Sequence, residues 1–104
     1  MKSQGAMRSI AQLRKKADDV ASLLKQLSHP QRLLILCSLV GGEKSVRDIE
    51  SACESSQSAV SQFLKSMRLE GLIEARREGK QIFYRIADKR ILELMGSLYT
   101  IFCK

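Results

Sequence analysis

Long apolar runs are missing from this sequence. The longest, Leu33–Cys37, falls far short of the roughly 20 residues a membrane-spanning helix needs. The basic N-terminus leads into no apolar stretch of the kind a secretion signal carries. The expectation is a cytoplasmic protein with no membrane partner. Histidine is nearly absent, His29 standing alone, and cysteine is scarce: Cys37, Cys53 and Cys103. An odd cysteine count without a CxxC or CxC pair argues against a disulfide framework. With one histidine, no tetrahedral zinc cluster of the usual local spacing can be assembled. A thiol enzyme needs an activated cysteine beside a base, and His29 is the one candidate base. Neither a metal, a cofactor nor an enzymatic activity is therefore expected. His29, set at a helix boundary, reads as a structural cap rather than a ligand.

What the chain has in excess is positive charge. Its 104 residues are 44% hydrophobic, enough to form the core of one small domain, and carry a formal net charge of +7. The basic excess gathers late. Between Lys65 and Arg90 lie Lys65, Arg68, Arg76, Arg77, Lys80, Arg85, Lys89 and Arg90, against Glu70, Glu74, Glu78 and Asp88. Such a balance favours a polyanionic partner, nucleic acid before a membrane surface, although solubility alone would also account for it.

The stretch from Ser56 to Met67 is the focus. As a helix it places Val60, Phe63, Leu64 and Met67 at i, i+3, i+4 and i+7, one apolar stripe. Gln57, Ser58, Ser61, Gln62 and Lys65 fall on the opposite face. Ser56 is placed to cap the first turn. A helix apolar behind and hydrogen-bonding in front suits the DNA major groove, where base edges display donors and acceptors. An amphipathic surface helix is the competing reading.

Residues 1–7 are expected to be a flexible N-terminus and 8–104 a single domain. A first helix runs from about Arg8 to Leu27, with Ile10, Leu13, Ala17, Val20, Leu24 and Leu27 as its stripe. Ser28-His29-Pro30 interrupts it. The second helix, Gln31 to Val40, is apolar nearly all round and should be central; Gly41-Gly42 is expected to supply its left-handed cap. Ser45 opens a third helix with Asp48 three residues on, close to a capping box. The turn Glu54-Ser55 then leads into the focal helix, forming a helix-turn-helix. After Gly71, two β-rich segments, Leu72–Arg77 and Gln81–Ile86, flank a glycine turn and read as a hairpin. Its tip carries Arg76, Arg77 and Lys80, a wing for phosphates or the minor groove. Asp88 caps a last helix to about Phe102, whose apolar residues exceed one stripe and suggest a face for another subunit. The expected fold is mainly α with a β-hairpin wing, a winged helix-turn-helix in which helices 1 to 4 precede two strands and helix 5.

This order, together with LSHPQRLLILCSL and SQSAVSQFLKSMRLEGLIEARREGKQIFY, resembles the ArsR-type winged-helix repressors of bacteria over about Leu23 to Cys103. The resemblance implies a homodimer paired through its first and last helices, bound to a palindromic operator in double-stranded DNA and released by an inducer. Gln57, Ser58, Ser61 and Gln62 would face bases; Lys65, Arg76, Arg77 and Lys80 would meet phosphate or the minor groove. Metal-sensing members carry cysteines early in helix 3 or a histidine-and-acid set on the last helix. Here helix 3 reads Ser45-Val46-Arg47-Asp48 and the last helix has no histidine, so both metal sites are missing. What is left, Cys37 in helix 2 and Cys103 at the end of the last helix, is similar to the pair in the branch of the family that senses sulfide and persulfide. That resemblance implies reactive sulfur species as inducer and a bridge between Cys37 and Cys103 that relieves operator binding. A simple disulfide needs Cα atoms within roughly 7 Å, and inserted sulfurs lengthen the span by about 2 Å per S–S bond. A pair held slightly too far apart would favour persulfide over peroxide. Cys103 would react first and Cys37 resolve; Cys53 reads as a small core residue. A regulator answering to general oxidants, or to no thiol signal, is the alternative.

Overall fold

The computed structural model describes the backbone over 2–103 and the side chains of 9–103. Eight elements follow one another: α1 (Lys2–Leu27), α2 (Pro30–Ser38), β1 (Lys44–Ser45), α3 (Val46–Cys53), α4 (Gln57–Leu69), β2 (Ile73–Glu78), β3 (Gln81–Ile86) and α5 (Lys89–Phe102). This is the winged helix-turn-helix the sequence pattern predicts.

Local signals explain most element boundaries. The imidazole Nδ1 of His29 accepts the Gln31 backbone N–H at 3.1 Å, and Pro30 takes the first helical position of α2, where a missing N–H costs nothing. The side-chain oxygens of Ser45 and Ser56 accept from the N–H groups of Asp48 and Ala59, each at 3.2 Å, and Asp88 accepts from Arg90 at 2.8 Å. Gly71, at φ +79°, lets the chain turn out of α4, a backbone setting that side chains with a Cβ resist.

The core gathers where these elements meet. Ile35, Leu36 and Leu39 of the α2 segment, Ile49 and Cys53 of α3, and Val60, Leu64 and Met67 of α4 are buried together. Leu72, Ile73 and Tyr84 from the wing and Ile91 and Met95 from α5 close the cluster. Truncating one of the fully buried residues, Leu64 for example, would cost about 2–5 kcal/mol through lost transfer energy and the cavity left behind. The core thus fixes the back of α4 and leaves its front to solvent.

Three features differ from the sequence expectation. First, the helical backbone of α1 begins at Lys2 rather than near Arg8. The expected flexible segment 1–7 concerns Met1, outside the described residues, and side chains likewise outside them. Second, α2 stops at Ser38, and its cap is Leu39 in a right-handed conformation, whose N–H returns to Leu36 and Cys37 carbonyls. The glycines do not cap it; Gly42, at φ +131°, instead shapes the turn into β1. Third, Lys44 and Ser45 form a short strand pairing with Tyr84 and Phe83, so the sheet has the order β1-β3-β2 rather than two strands. Two residues are too few to show a period of two, and Ser45 serves as strand end and helix cap at once.

Candidate nucleic-acid interface and thiol pair

The face of α4 turned away from the core is laid out by the helical repeat. Val60, Leu64 and Met67 are buried, and the residues between them, Gln57, Ser58, Ser61, Gln62 and Lys65, are all exposed. The helix is held at both ends. At its start, Ser56 caps the first turn, and at its midpoint the His29 ring rests on Phe63, centroids 4.8 Å apart. At its end, Arg32 of α2 donates to both carboxylate oxygens of Glu70, at 2.9 and 2.6 Å, to Ser66 Oγ at 2.6 Å and to the Gln26 carbonyl at 3.0 Å. The Arg32 side chain is only 15% exposed, so α1, α2 and α4 are pinned at one partly desolvated node. The Glu70 carboxyl is held below its ordinary range, chiefly by the Arg32 hydrogen bonds and then by Ser66, Arg32's charge and Gln26, against an opposing cost of burial.

The wing stands beside this face. Glu78 and Gln81 pair across a two-residue loop, Gly79-Lys80, in which Gly79 takes φ +64°. Between wing and helices lies a groove of about 780 Å³ whose lining includes Gln57 and Ser61 of α4, Lys80 of the wing tip and Arg47 of α3. Gln57, Ser61 and Lys80, distant in sequence, thus share one concavity. Register separates the neighbouring arginines. Arg77 is opposite Ile82 and shares the face of Ala75 and Tyr84, whereas Arg76 is opposite Phe83 on the other face. Lys65, Arg77 and Lys80 pair with no carboxylate among the described residues. Arg76 does: it is held by Glu43 and Glu78. Its positive charge is therefore already compensated, unlike that of the other three.

Two residues of this region escaped the sequence reading. Arg47 lies in the first turn of α3, where the helix dipole disfavours a cation; that misplacement was a usable signal. Glu43 had none, because its partner Arg76 is brought to it only by the sheet.

The thiols lie elsewhere. Cys37 is half-buried on α2, Cys53 is buried at the end of α3 with 7% exposure, and Cys103 is exposed just past α5. Burial pushes the Cys37 thiol above its ordinary pKa, and the like charge of Cys103 pushes it further. Cys53 is raised likewise by burial and then by Cys37. Helix α5, which leads to Cys103, packs on α2, which carries Cys37. Among the described residues no three of His, Cys, Asp and Glu gather as a metal site would need, and no described helix is long and apolar enough to cross a membrane.

Comparison with known proteins agrees with this geometry. Residues 29–75 match the model of the family described as bacterial regulatory protein, arsR family. The biofilm growth-associated repressor of Xylella fastidiosa is 47% identical over 91 residues, covering 88% of this chain and 80% of the relative. The crystal structure of the transcriptional repressor BigR from Xylella fastidiosa superposes with a TM-score of 0.82 at 46% identity, covering 90% of this chain and 96% of that one. The solution structure of a homodimeric winged helix-turn-helix DNA-binding domain from Mycobacterium bovis, a possible ArsR-family regulator, superposes with a TM-score of 0.68 at 35% identity, covering 90% and 83%.

Proposed function

Because the chain belongs to the arsR family of bacterial regulatory proteins, we propose that it is a cytoplasmic, homodimeric transcriptional repressor whose grip on operator DNA is released by reactive sulfur species acting on Cys37 and Cys103. In this reading α4 enters the major groove. Gln57, Ser58, Ser61 and Gln62 present donors and acceptors to base edges, and Lys65, Arg77 and Lys80 neutralise phosphates. Two-fold symmetry sets the half-sites about one helical turn apart.

The release chemistry follows from the unequal thiols. Cys103 is open to solvent, so its thiolate attacks the outer sulfur of a persulfide RSSH, giving a Cys103 persulfide and RSH. That persulfide takes a second sulfur from another RSSH, releasing a second RSH. Cys37 then attacks the middle sulfur and expels hydrosulfide. Two RSSH and two thiols become one trisulfide, two RSH and one hydrogen sulfide, with no other oxidant required. The raised pKa of Cys37 suits a resolving thiol that acts only once an electrophilic sulfur is held beside it. The bridge would tie the end of α5 to the last turn of α2. Since α2 is pinned to α4 through Arg32 and Glu70, a shift of α5 against α2 alters the setting of the two recognition helices, and the operator-competent arrangement loses population.

The observation that carries the regulatory part is the placement of a half-buried Cys37 on α2 and an exposed Cys103 just past α5, two helices that pack together. Peptide mapping tests it. Reduced protein is treated separately with an organic persulfide and with peroxide, then alkylated and digested. The expected product is a Cys37–Cys103 crosslink containing added sulfur, formed with persulfide only, with parallel loss of affinity for an operator selected in vitro. Crosslinking by both reagents would make the protein a general oxidant sensor. Two thiols that stay alkylatable after either treatment would sink the thiol mechanism and leave a DNA-binding regulator with another signal.

A further inference from the structure

The sheet has two edges, β1 and β2, with β3 between them. Arg76 spans all three. It starts on β2 and lies over the Phe83 ring of β3, with its guanidinium carbon 4.9 Å from the ring centroid. From there it reaches Glu43, the residue just before β1. Nε donates to one Glu43 oxygen at 2.9 Å and Nη2 to the other at 2.8 Å, while Nη1 donates to Glu78 at 3.0 Å. We infer that Arg76 and Glu43 form a strap across the outer face of the sheet, which sets where the wing tip stands relative to α4, and that Arg76 is a positioning residue rather than a phosphate contact.

Three observations converge on this. The first is what the strap anchors. β1 has only two residues in register with β3, and the chain enters it through Gly41-Gly42, so little else fixes the turn after α2 to the hairpin. The second is geometry. A two-pronged arginine–carboxylate fork with an aromatic ring beneath it is the arrangement in which an exposed ion pair holds one orientation instead of exchanging with water. The third is charge. A guanidinium touching two carboxylates belongs to a locally negative cluster, and a phosphate would have to displace Glu43 or Glu78 to reach it. Arg77, next in sequence, faces the other side of the sheet and pairs with no carboxylate among the described residues; with Lys80 it is the cation the strap aims.

The inference rests on the DNA-binding part of the proposed function and not on the thiol chemistry, so it is tested on fully reduced protein. Affinity for an in vitro selected operator is measured at several salt concentrations for the wild type, Glu43→Gln, Arg76→Lys, Arg76→Gln and the double variant E43Q/R76Q. A strap predicts that Glu43→Gln weakens binding about three- to tenfold, that Arg76→Lys, which keeps the charge but loses the fork, weakens it alike, and that the double variant is no worse than either single one. Thermal unfolding should stay near the wild type, which separates wing placement from general stability. A direct phosphate contact predicts the opposite sign, because removing Glu43 frees a cation: tighter or unchanged binding by Glu43→Gln, with Arg76→Lys near wild type, would overturn the strap. Absence of salt-dependent binding by the wild type would overturn the DNA-binding reading and the strap together.

Discussion

The cations beside α4 do different work even though a charge count adds them together. Lys80 lines the groove with Gln57 and Ser61 and meets no carboxylate among the described residues, so its ammonium is available to phosphate. Lys80→Ala should weaken binding to all DNA sequences alike and lower the salt slope by about 1; a slope equal to that of the wild type would remove Lys80 from the phosphate contacts. Arg32 is the contrasting case. Its partner Glu70 has a folded pKa below the unfolded carboxylate value of about 4.3. A depressed pKa stabilises the fold at pH values above the unfolded one and loses that contribution as pH falls through the folded one. Glu70→Gln should therefore be less stable than the wild type near neutral pH, with the gap narrowing below about pH 4. Denaturant unfolding of both proteins across that range reads this directly, and a constant gap would mean that packing, not charge, holds the node.

Each element owes its boundaries to a few side chains, and this is where sequence reasoning does well or badly. Helix α4 was legible because two independent signals coincide: the apolar stripe Val60, Phe63, Leu64 and Met67, and the cap at Ser56. Ser56→Ala should cost about 1 kcal/mol of stability by orphaning the Ala59 N–H. A smaller loss would mean that packing of the buried stripe already fixes the helix start. The wing's strands and its Gly79 turn were legible for the same reason, a period of two around a residue that tolerates positive φ. The end of α2 was not. Gly41-Gly42 looked like a cap, yet the cap falls on Leu39, whose buried side chain is held by the core; tertiary packing outweighed the local glycine signal. In the candidate site, Gln57, Ser61 and Lys80 were predicted one by one and are brought to one groove. The compensation of Arg76 was invisible, because Glu43 is far from it in sequence and meets it only across the sheet. Contacts of that kind depend on strand order, which no local pattern encodes.

At the scale of the whole molecule, the first and last helices carry an apolar surface that nothing among the described residues covers. Residues 9–19 of α1 are all exposed, Ile10 and Leu13 among them, and α5 ends in Ile101 and Phe102, exposed at 65% and 77%. Single exposed apolar residues are ordinary, but most of the large ones here lie on the first and last helices, neither of which lines the groove between the wing and α4. A second copy of the chain would bury both faces at once, and two-fold symmetry would then set two α4 helices side by side. In the proposed release mechanism a dimer would also give a Cys37–Cys103 bridge its leverage, since Cys103 follows the helix that would touch the partner. Leu13→Glu combined with Phe102→Glu places charges in that face without touching the core of either protomer. The expected result is a shift toward monomer in light scattering or sedimentation, with the winged domain still folded by circular dichroism. Operator affinity should fall by far more than the loss of any one phosphate contact, because two linked half-site contacts become independent ones. A variant that remains dimeric, or a monomer that binds the full operator as tightly as the wild type, would show that the apolar faces of α1 and α5 serve another purpose.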